Sequence, residues 1–332
     1  ISISTSGKYF DHGTHDYIQA ISEDLGMRFL KNFSADTAYF LNEKSRNDFL
    51  ILFKELLKRA ETKQPVLREY KPVQEKSAIL FTPEVTPSIK SEKSEDFKTV
   101  IIADIPDSSN NIESMINAYK SLSPGTTEVI NIRKEDIKGG CIGCCKCMLE
   151  GKCFYKDSFR NIYDNAIHNA DIVIYAGAVE NRFLSPRWKQ FLDRGFYCGH
   201  KPVFEGKQFG IILSGSWSRN RILRDFFEGY IQTITGSSLY EVVTDECLNS
   251  RELSERMKAF AFNLNTSCRE KLKKPQNFLG AGGQKIFRDL VYSLSWFFTE
   301  EHKYFKKTGK YDFPNTNPSI ALRSMIMSAL MS

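Results

Sequence analysis

Two apolar runs decide the fold, Thr99-Val-Ile-Ile-Ala-Asp-Ile105 and Asp171-Ile-Val-Ile-Tyr-Ala176. Each is short, almost continuous and rich in β-branched residues, which is typical of a strand buried on both faces. Stretches with helical periodicity separate these runs from one another and from three further apolar runs. The chain therefore predicts a parallel sheet covered by helices on both sides. The three further strands are predicted at Thr127–Ile132, Phe209–Ser214 and Leu239–Val243.

This alternation predicts an α/β fold, a doubly wound five-stranded parallel sheet with the strand order 2-1-3-4-5. We assign it to residues 98–274. In such a sheet the ligand lies at the carboxyl ends of the strands, so the loops that follow the strands are the candidate binding segments. The predicted helices are Ile112–Leu122, Ser158–Asn169, Ser185–Arg194, Asn220–Ile234 and Glu252–Leu272.

A short internal repeat precedes this unit. Tyr17-Ile-Gln-Ala-Ile21 is similar to Tyr230-Ile-Gln-Thr-Ile234, and a helix is predicted after both Leu41-Asn42 and Leu248-Asn249. We predict that residues 1–61 form the second half of another copy of the same domain, a half-copy that must pack on something to stay folded. The alternative is a chance similarity between two helices.

The two other regions differ in composition. Residues 62–97 are rich in Pro, Lys and Glu and predict a linker. Residues 275–332 predict a helical C-terminal extension used for packing or dimerisation. Within it, Gly280–Gly283 predicts a break, Gln284–His302 one helix, and Pro318 the start of a last helix.

The composition of the chain limits the classes of partner that it is expected to bind. The 332 residues carry 46 Lys and Arg against 40 Asp and Glu, a formal charge of +6 spread over both signs. The sequence has no concentrated basic face of the kind that binds nucleic acids. It also has no apolar run of eighteen residues, the length needed for a membrane span. The sequence shows no recognisable secretion signal. We therefore expect a cytoplasmic protein with neither a nucleic-acid nor a membrane partner.

The positions of the cysteines indicate a candidate functional segment. Five of the eight lie between Cys141 and Cys153. A disulfide framework would spread them along the chain, so this cluster indicates metal or redox chemistry in a reducing compartment. Four of them fit the spacing C-x2-C-x2-C-x5-C, which can surround an inorganic cube. The residues alone leave three alternatives open: a [4Fe-4S] cluster, metal-free thiols or zinc. The four are Cys141, Cys144, Cys147 and Cys153.

From Gly140 to Gly195 the chain resembles the iron-sulfur flavoprotein branch of the NAD(P)H-dependent FMN reductases, a flavodoxin-like family. The resemblance extends over roughly Lys98–Leu272. After the four cysteines, the matching positions are Asp157 at a helix start, Ala170-Asp171 before a strand, and Lys189, Asp193 and Arg194 at a helix end.

The resemblance implies a flavin-dependent oxidoreductase. NAD(P)H, a ferredoxin-like protein or another reduced small molecule would pass electrons through FMN, with a [4Fe-4S] cluster on the four cysteines, in a homo-oligomer. It also implies FMN contacts in the loops after the first, third and fourth strands of the sheet. The expected FMN-binding residues are Ser108, Ser109, Asn110, Asn111, Gly177, Ala178, Val179, Asn181, Ser214 and Gly215.

Two of these loops depart from the family pattern. The first lacks the usual Arg and adds Asp107, and the loop after the third strand lacks the usual Pro-x-Tyr. These departures leave two other functions open. One is a flavodoxin-like interaction domain that has lost its flavin, and the other is a redox sensor whose thiols cross-link reversibly.

Overall fold

The computed structural model describes residues 1–6, 11–36, 38–73, 79–83, 96–106, 111–198, 204–235, 237, 239–312 and 326. Seven strands lie in these ranges and form two parallel sheets. Five of them form the central sheet, and the other two form a small sheet at the N-terminus. The strands are β1 (Ser2–Ser6), β2 (Asn32–Asp36), β3 (Lys98–Ala103), β4 (Thr126–Asn131), β5 (Ile172–Ala178), β6 (Gln208–Ser214) and β7 (Leu239–Thr244).

The central sheet has the order β4-β3-β5-β6-β7, with every neighbouring pair parallel. Counted along the chain within this sheet, the order is 2-1-3-4-5, so the predicted flavodoxin-like topology is confirmed. Strand β4 lies beside β3 in one direction across the sheet and β5 lies beside it in the other, so the strand order reverses at β3. The carboxyl ends of β3 and β5 therefore flank the point where a ligand crevice is expected.

Ten α-helices lie within the described residues. Two of the predicted helices are α-helical over only part of their length, because residues Ile162–Ile167 and Ile231–Thr235 form π-helical turns. The α-helices are α1 (His12–Asp24), α2 (Glu43–Glu61), α3 (Asn111–Leu122), α4 (Lys146–Glu150), α5 (Phe159–Asn161), α6 (Pro186–Arg194), α7 (Arg221–Tyr230), α8 (Ser250–Arg269), α9 (Phe278–Ser293) and α10 (Thr299–Lys307).

The two faces of the central sheet bury two separate cores. Successive residues of a strand point to opposite faces, so Ile101 and Ile174 pack with α3 and α8, whereas Val100 and Tyr175 pack with α6 and α7. Burial on both faces explains why these strands are continuous apolar runs rather than alternating ones.

The N-terminal region forms its own small parallel unit, β1-α1-β2-α2. Strand β2 was not predicted, and α1 begins at His12, before the repeat segment Tyr17–Ile21. Both ring nitrogens of the buried His15 bond to β1, at 2.7 Å from Ser2 Oγ and 2.8 Å from Ser4 Oγ. These bonds, which have no sequence signature, hold α1 on the strand. That this unit is half of another domain copy stays a prediction.

The C-terminal extension differs from expectation in two ways. Gly280–Gly283 does not break a helix but lies inside α9, and the predicted single helix Gln284–His302 is divided between α9 and α10. A Cβ at Gly280 would lie 2.3 Å from Gln232 Oε1, and one at Gly283 would lie 2.7 Å from Thr233 Oγ1. These glycines therefore permit close packing against the end of α7. The predicted helix from Pro318 lies outside the described residues, apart from position 326.

Over the part of the chain that the structure describes, no helix combines the length and the apolar character needed to cross a bilayer.

Close packing on strand β6 of the central sheet gives the first prediction. A Cβ at Gly210 of β6 would lie 2.8 Å from both Leu264 and Phe260 of α8. Because neither neighbour can leave the core, Gly210→Ala should lower the free energy of unfolding by about 1–3 kcal/mol. Urea denaturation measures this change. The control is Gly282→Ala, whose Cβ meets nothing within 4 Å in α9 and should leave stability unchanged or slightly raised. Equal effects of the two substitutions would contradict the packing.

Candidate functional site

The cysteine loop forms a compact turn between β4 and α5. Left-handed backbone at Gly143, Cys145 and Gly151, with φ between 60° and 65°, lets it fold back on itself. The five thiols of the loop line one small cavity, together with Arg194 and the ring of Tyr155. The sequence-predicted ligands Cys141, Cys144, Cys147 and Cys153 are therefore brought together.

The thiols of this loop influence one another. Burial is the main cause that raises the pKa of Cys147, to about 11, and the charges of Glu301, Cys141 and Cys153 raise it further. All seven cysteines whose side chains are described are free thiols. Among the described residues, no three or more His, Cys, Asp or Glu side chains are placed to hold a single metal ion. A single-ion site such as zinc is thus not preformed here.

A buried ion pair fixes the loop at its base. The side chains of Asp157 and Arg194 are 0% and 1% exposed and form two parallel hydrogen bonds of 2.9 Å. The guanidinium also donates to Gly139 O and lies 4.3 Å from the centre of the Tyr155 ring. Asp157 in turn accepts from the amide of Lys138. The pair therefore joins both ends of the loop to α6.

Arg194 also interacts with a thiol of the cysteine loop. Burial would lower its pKa, but Asp157 and Cys153 raise it above its ordinary value, so it stays charged. The Arg194 guanidinium therefore places a buried positive charge beside Cys153. Asp193, one turn away from Lys189, pairs with it at the surface as their i,i+4 spacing predicts.

The C-terminal extension covers the cysteine loop. Met148 of α4 is buried against Val291, Phe298 and Phe305, and Cys147 packs on the same cluster. The hydroxyl of Thr299, at the start of α10, donates to Met148 O at 3.2 Å. The sequence predicted a helical extension used for packing in this region but did not show which surface it would cover.

At the carboxyl end of β3, a buried carboxylate joins three loops. Asp104 is 3% exposed and accepts hydrogen bonds from Arg133, after β4, and from Ser185, the N-cap of α6. This trio was not predicted, although an acid directly after a buried strand is the signal that could have suggested it. Ser108, Ser109 and Asn110, three of the expected FMN-binding residues, follow in the chain and lie outside the described residues.

A second carboxylate engages three of the predicted flavin contacts. Asp245 accepts from Asn111 Nδ2 at 2.8 Å, from Ser214 Oγ at 2.7 Å and from the amide of Gly215 at 2.8 Å. The carbonyl of the Asn111 side chain also accepts from the amide of Phe81 at 2.7 Å. These predicted residues lie at the expected edge of the sheet, but their described donors bond to protein.

The loop after β5 is a tight turn. Gly177 and Ala178 belong to β5 itself, and the amide of Val179 donates to Ser214 O at 2.8 Å. Asn181 is exposed and has a left-handed backbone with φ of 47°. It is the predicted contact of this loop that points to solvent.

The N-terminal region holds this turn in place. The buried Arg182 donates to Asp24, at the end of α1, and to the carbonyl of Lys71. No sequence signal marked Arg182, because its partners lie far away in the chain. The turn beside the predicted flavin ring therefore rests on the N-terminal unit.

Residues 98–233 match the sequence model of the family described as NADPH-dependent FMN reductase. This segment contains β3 to α7 with the cysteine loop and the loop after β5. It confirms the family resemblance inferred from the sequence for this part of the chain, which is less than half of it. No curated protein matches the chain.

Solved structures with similar folds include several flavoproteins. RosB with a bound intermediate shares 12% identity, covering 58% of this chain and 87% of its own, with a TM-score of 0.41. The apo NADH:FMN oxidoreductase EMOB shares 17%, covering 54% and 91%, with a TM-score of 0.35. FerB, an NAD(P)H:acceptor oxidoreductase from Paracoccus denitrificans, shares 9%, covering 53% and 98%, with a TM-score of 0.39. Similarity this low is no guide to activity.

The buried pair predicts a large effect of one substitution. Asp157→Asn leaves the Arg194 charge buried without its partner and should lower the free energy of unfolding by about 3–5 kcal/mol. The matched control is Asp193→Asn, which breaks the surface pair with Lys189 and should cost no more than about 1 kcal/mol. Urea denaturation of the full chain measures both, and a cost for Asp157→Asn as small as that of the control would contradict the anchoring role.

The same pair predicts a pH dependence. Burial alone would raise the pKa of Asp157, but the hydrogen bonds from Arg194 and from backbone amides lower it below its usual value. The stabilisation is therefore complete above about pH 5, and it is lost as the pH falls through about 4 towards the lowered pKa. The stability difference between the wild type and Asp157→Asn should shrink over that range. A difference that grew on acidification would refute this assignment.

Proposed function

We propose that the chain is a flavin-dependent oxidoreductase that passes electrons from NAD(P)H or another reduced donor through FMN. The observation that carries the proposal is the match of residues 98–233 to the FMN reductase family. That segment forms four strands of the central sheet, including β3 and β5, whose carboxyl ends flank the expected crevice. When bound, FMN supplies one- and two-electron chemistry, and the protein binds and orients it.

The fit of the flavin is uneven among the described residues. Asn111 and Ser214, both predicted contacts, already bond to Asp245. Asn181 remains exposed beside the β5 turn. The FMN-binding residues expected at 108–110 lie outside the described residues.

We further propose that Cys141, Cys144, Cys147 and Cys153 hold a [4Fe-4S] cluster, which would supply a one-electron station. The donor set supports this, because the thiols line one cavity and Arg194 compensates negative charge there. A cube places its four irons apart, so its ligands need not converge on a single ion. The Asp157 pair and α10 bury the base of the loop, whereas Cys141 and Cys144 are exposed to solvent.

The remaining expectations are part of the same proposal. The free thiols support a reducing compartment such as the cytoplasm. We propose a ferredoxin-like or small-molecule electron partner and a homo-oligomeric state, as the family resemblance implies.

One observation favours a second function, a flavodoxin-like interaction domain without flavin. The bonds of Asp245 to Asn111, Ser214 and Gly215 satisfy groups that a flavin would need. In that case the cysteine loop would carry metal or free thiols alone.

Anaerobic purification followed by a visible spectrum, with iron, acid-labile sulfide and FMN quantified, tests the proposal. Flavin bands on a broad brown background, with about four iron atoms per chain, are expected. A colourless protein that does not take up added FMN would exclude the flavin enzyme and support the interaction domain. Flavin without iron would retain the oxidoreductase and overturn the cluster.

The cysteine assignment makes its own prediction. Cys147→Ser should lose the brown absorption and reduce iron from about four atoms per chain towards zero, because it removes a ligand. Cys145→Ser is the matched control. Its thiol donates to Gly143 O at 3.3 Å and lies outside the four-cysteine spacing, so iron should be retained. Equal iron loss in both variants would contradict the assignment of ligands.

A further inference from the structure

A cavity of about 650 Å³ lies where the three regions of the chain meet. Its walls come from α1, from the turn after β5, from α7 and from α9. The volume falls in the range of small-molecule sites. No residue of the cysteine loop lines it, and of the predicted flavin contacts that the structure describes, Asn181 alone does.

Aromatic rings form one continuous wall of this cavity. Tyr17 meets Phe183 edge-on with ring centres 6.5 Å apart, and Phe183 meets Phe226 at 4.8 Å. Phe226 stacks on Tyr230 at 5.4 Å with a 19° angle between the rings. The Tyr230 hydroxyl donates to Leu192 O, so its polar end is satisfied by protein. Such a wall offers ring faces and edges to a flat ligand.

Two glycines show that the space is open. Gly229 is buried in α7 and lines the cavity, yet a Cβ there would meet nothing within 4 Å. Gly13 of α1 lines the cavity at the exposed surface, and a Cβ there would also meet nothing. Protein interiors are normally close-packed, so a buried glycine facing empty space marks a cavity that the side chains leave unfilled.

The charges around the cavity disfavour an anion. Three acids line it, Asp16, Glu180 and Asp225, against two cations. Lys189 is paired with Asp193, and Arg221 Nε donates to Asp225 at 3.1 Å. A phosphate or sulfonate would meet a net negative lining whose cations already have partners.

We propose that this cavity, between the N-terminal unit and α7, binds an uncharged planar aromatic molecule of two or three rings. The ring wall supplies the affinity, the open space at Gly229 and Gly13 supplies the room, and the acidic lining selects against anions. The site needs neither flavin nor cluster, so it stands apart from the proposed oxidoreductase activity.

The neutral dye N-phenyl-1-naphthylamine, which becomes fluorescent in apolar sites, tests the proposal on the full chain. We expect saturable binding with a Kd on the order of 10 µM for a ligand of this size. The dye 8-anilinonaphthalene-1-sulfonate adds one negative charge to the same rings and should bind at least about tenfold more weakly. No saturable binding of the neutral dye, or tighter binding of the sulfonate, would overturn the proposal.

Filling the cavity locates the site. Gly229→Leu should weaken binding of the neutral dye at least about tenfold, and Gly282→Leu, the matched helical glycine outside the lining, should leave it unchanged. Gly13→Phe fills the space from the exposed start of α1, so it tests the site even if Gly229→Leu fails to fold by circular dichroism. Wild-type affinity in a folded Gly229→Leu or in Gly13→Phe would place the dye elsewhere and overturn the proposal.

Discussion

The ion pair between Asp157 and Arg194 is the interaction on which the candidate site depends. Its two side chains are almost fully buried. Asp157 follows the cysteine loop, and the partners Lys138 and Gly139 precede it, so the pair ties both ends together. Because α6 packs on the central sheet, the pair transmits the rigidity of the sheet to a loop that has only one short helix of its own. A buried pair of this kind stabilises poorly against an apolar substitute, but it strongly penalises loss of one partner. It thus fixes the position of the thiols rather than adding much to overall stability.

The regions outside the sheet meet at the loops that carry the candidate chemistry. The end of α1 binds Arg182 and so supports the turn after β5, while α10 covers Met148 and the thiol of Cys147. The cavity between α1, α7 and α9 is a product of the same assembly. The site is therefore built from three separate parts of the chain, and the segment that matches a known family contributes the scaffold, the cysteines and the turn after β5.

The sequence predicted the central sheet because burial on both faces leaves a signal in each strand, as in Thr99–Ile105. It also predicted the cysteine grouping, because a thirteen-residue loop cannot separate its thiols widely. The sequence did not predict features that depend on contacts between residues far apart in the chain. Gly280 looked like a helix break, but it is a point of close approach to Gln232, and no sequence signal showed that the Asn111 side chain bonds to Asp245 and to the segment around Phe81. Neither partner can be inferred from local pattern, since each lies far away along the chain.

The central claim is that electrons from a reduced donor reach a flavin held at this sheet. The most direct measurement is an anaerobic titration of the purified, flavin-loaded protein with NADPH, followed by visible absorption. We expect the flavin bands to bleach in proportion to the NADPH added. The broad absorption of the proposed [4Fe-4S] cluster should decrease at the same time. A protein that takes up no flavin, or whose bound flavin stays oxidised with NADPH, with NADH and with reduced ferredoxin, would contradict it.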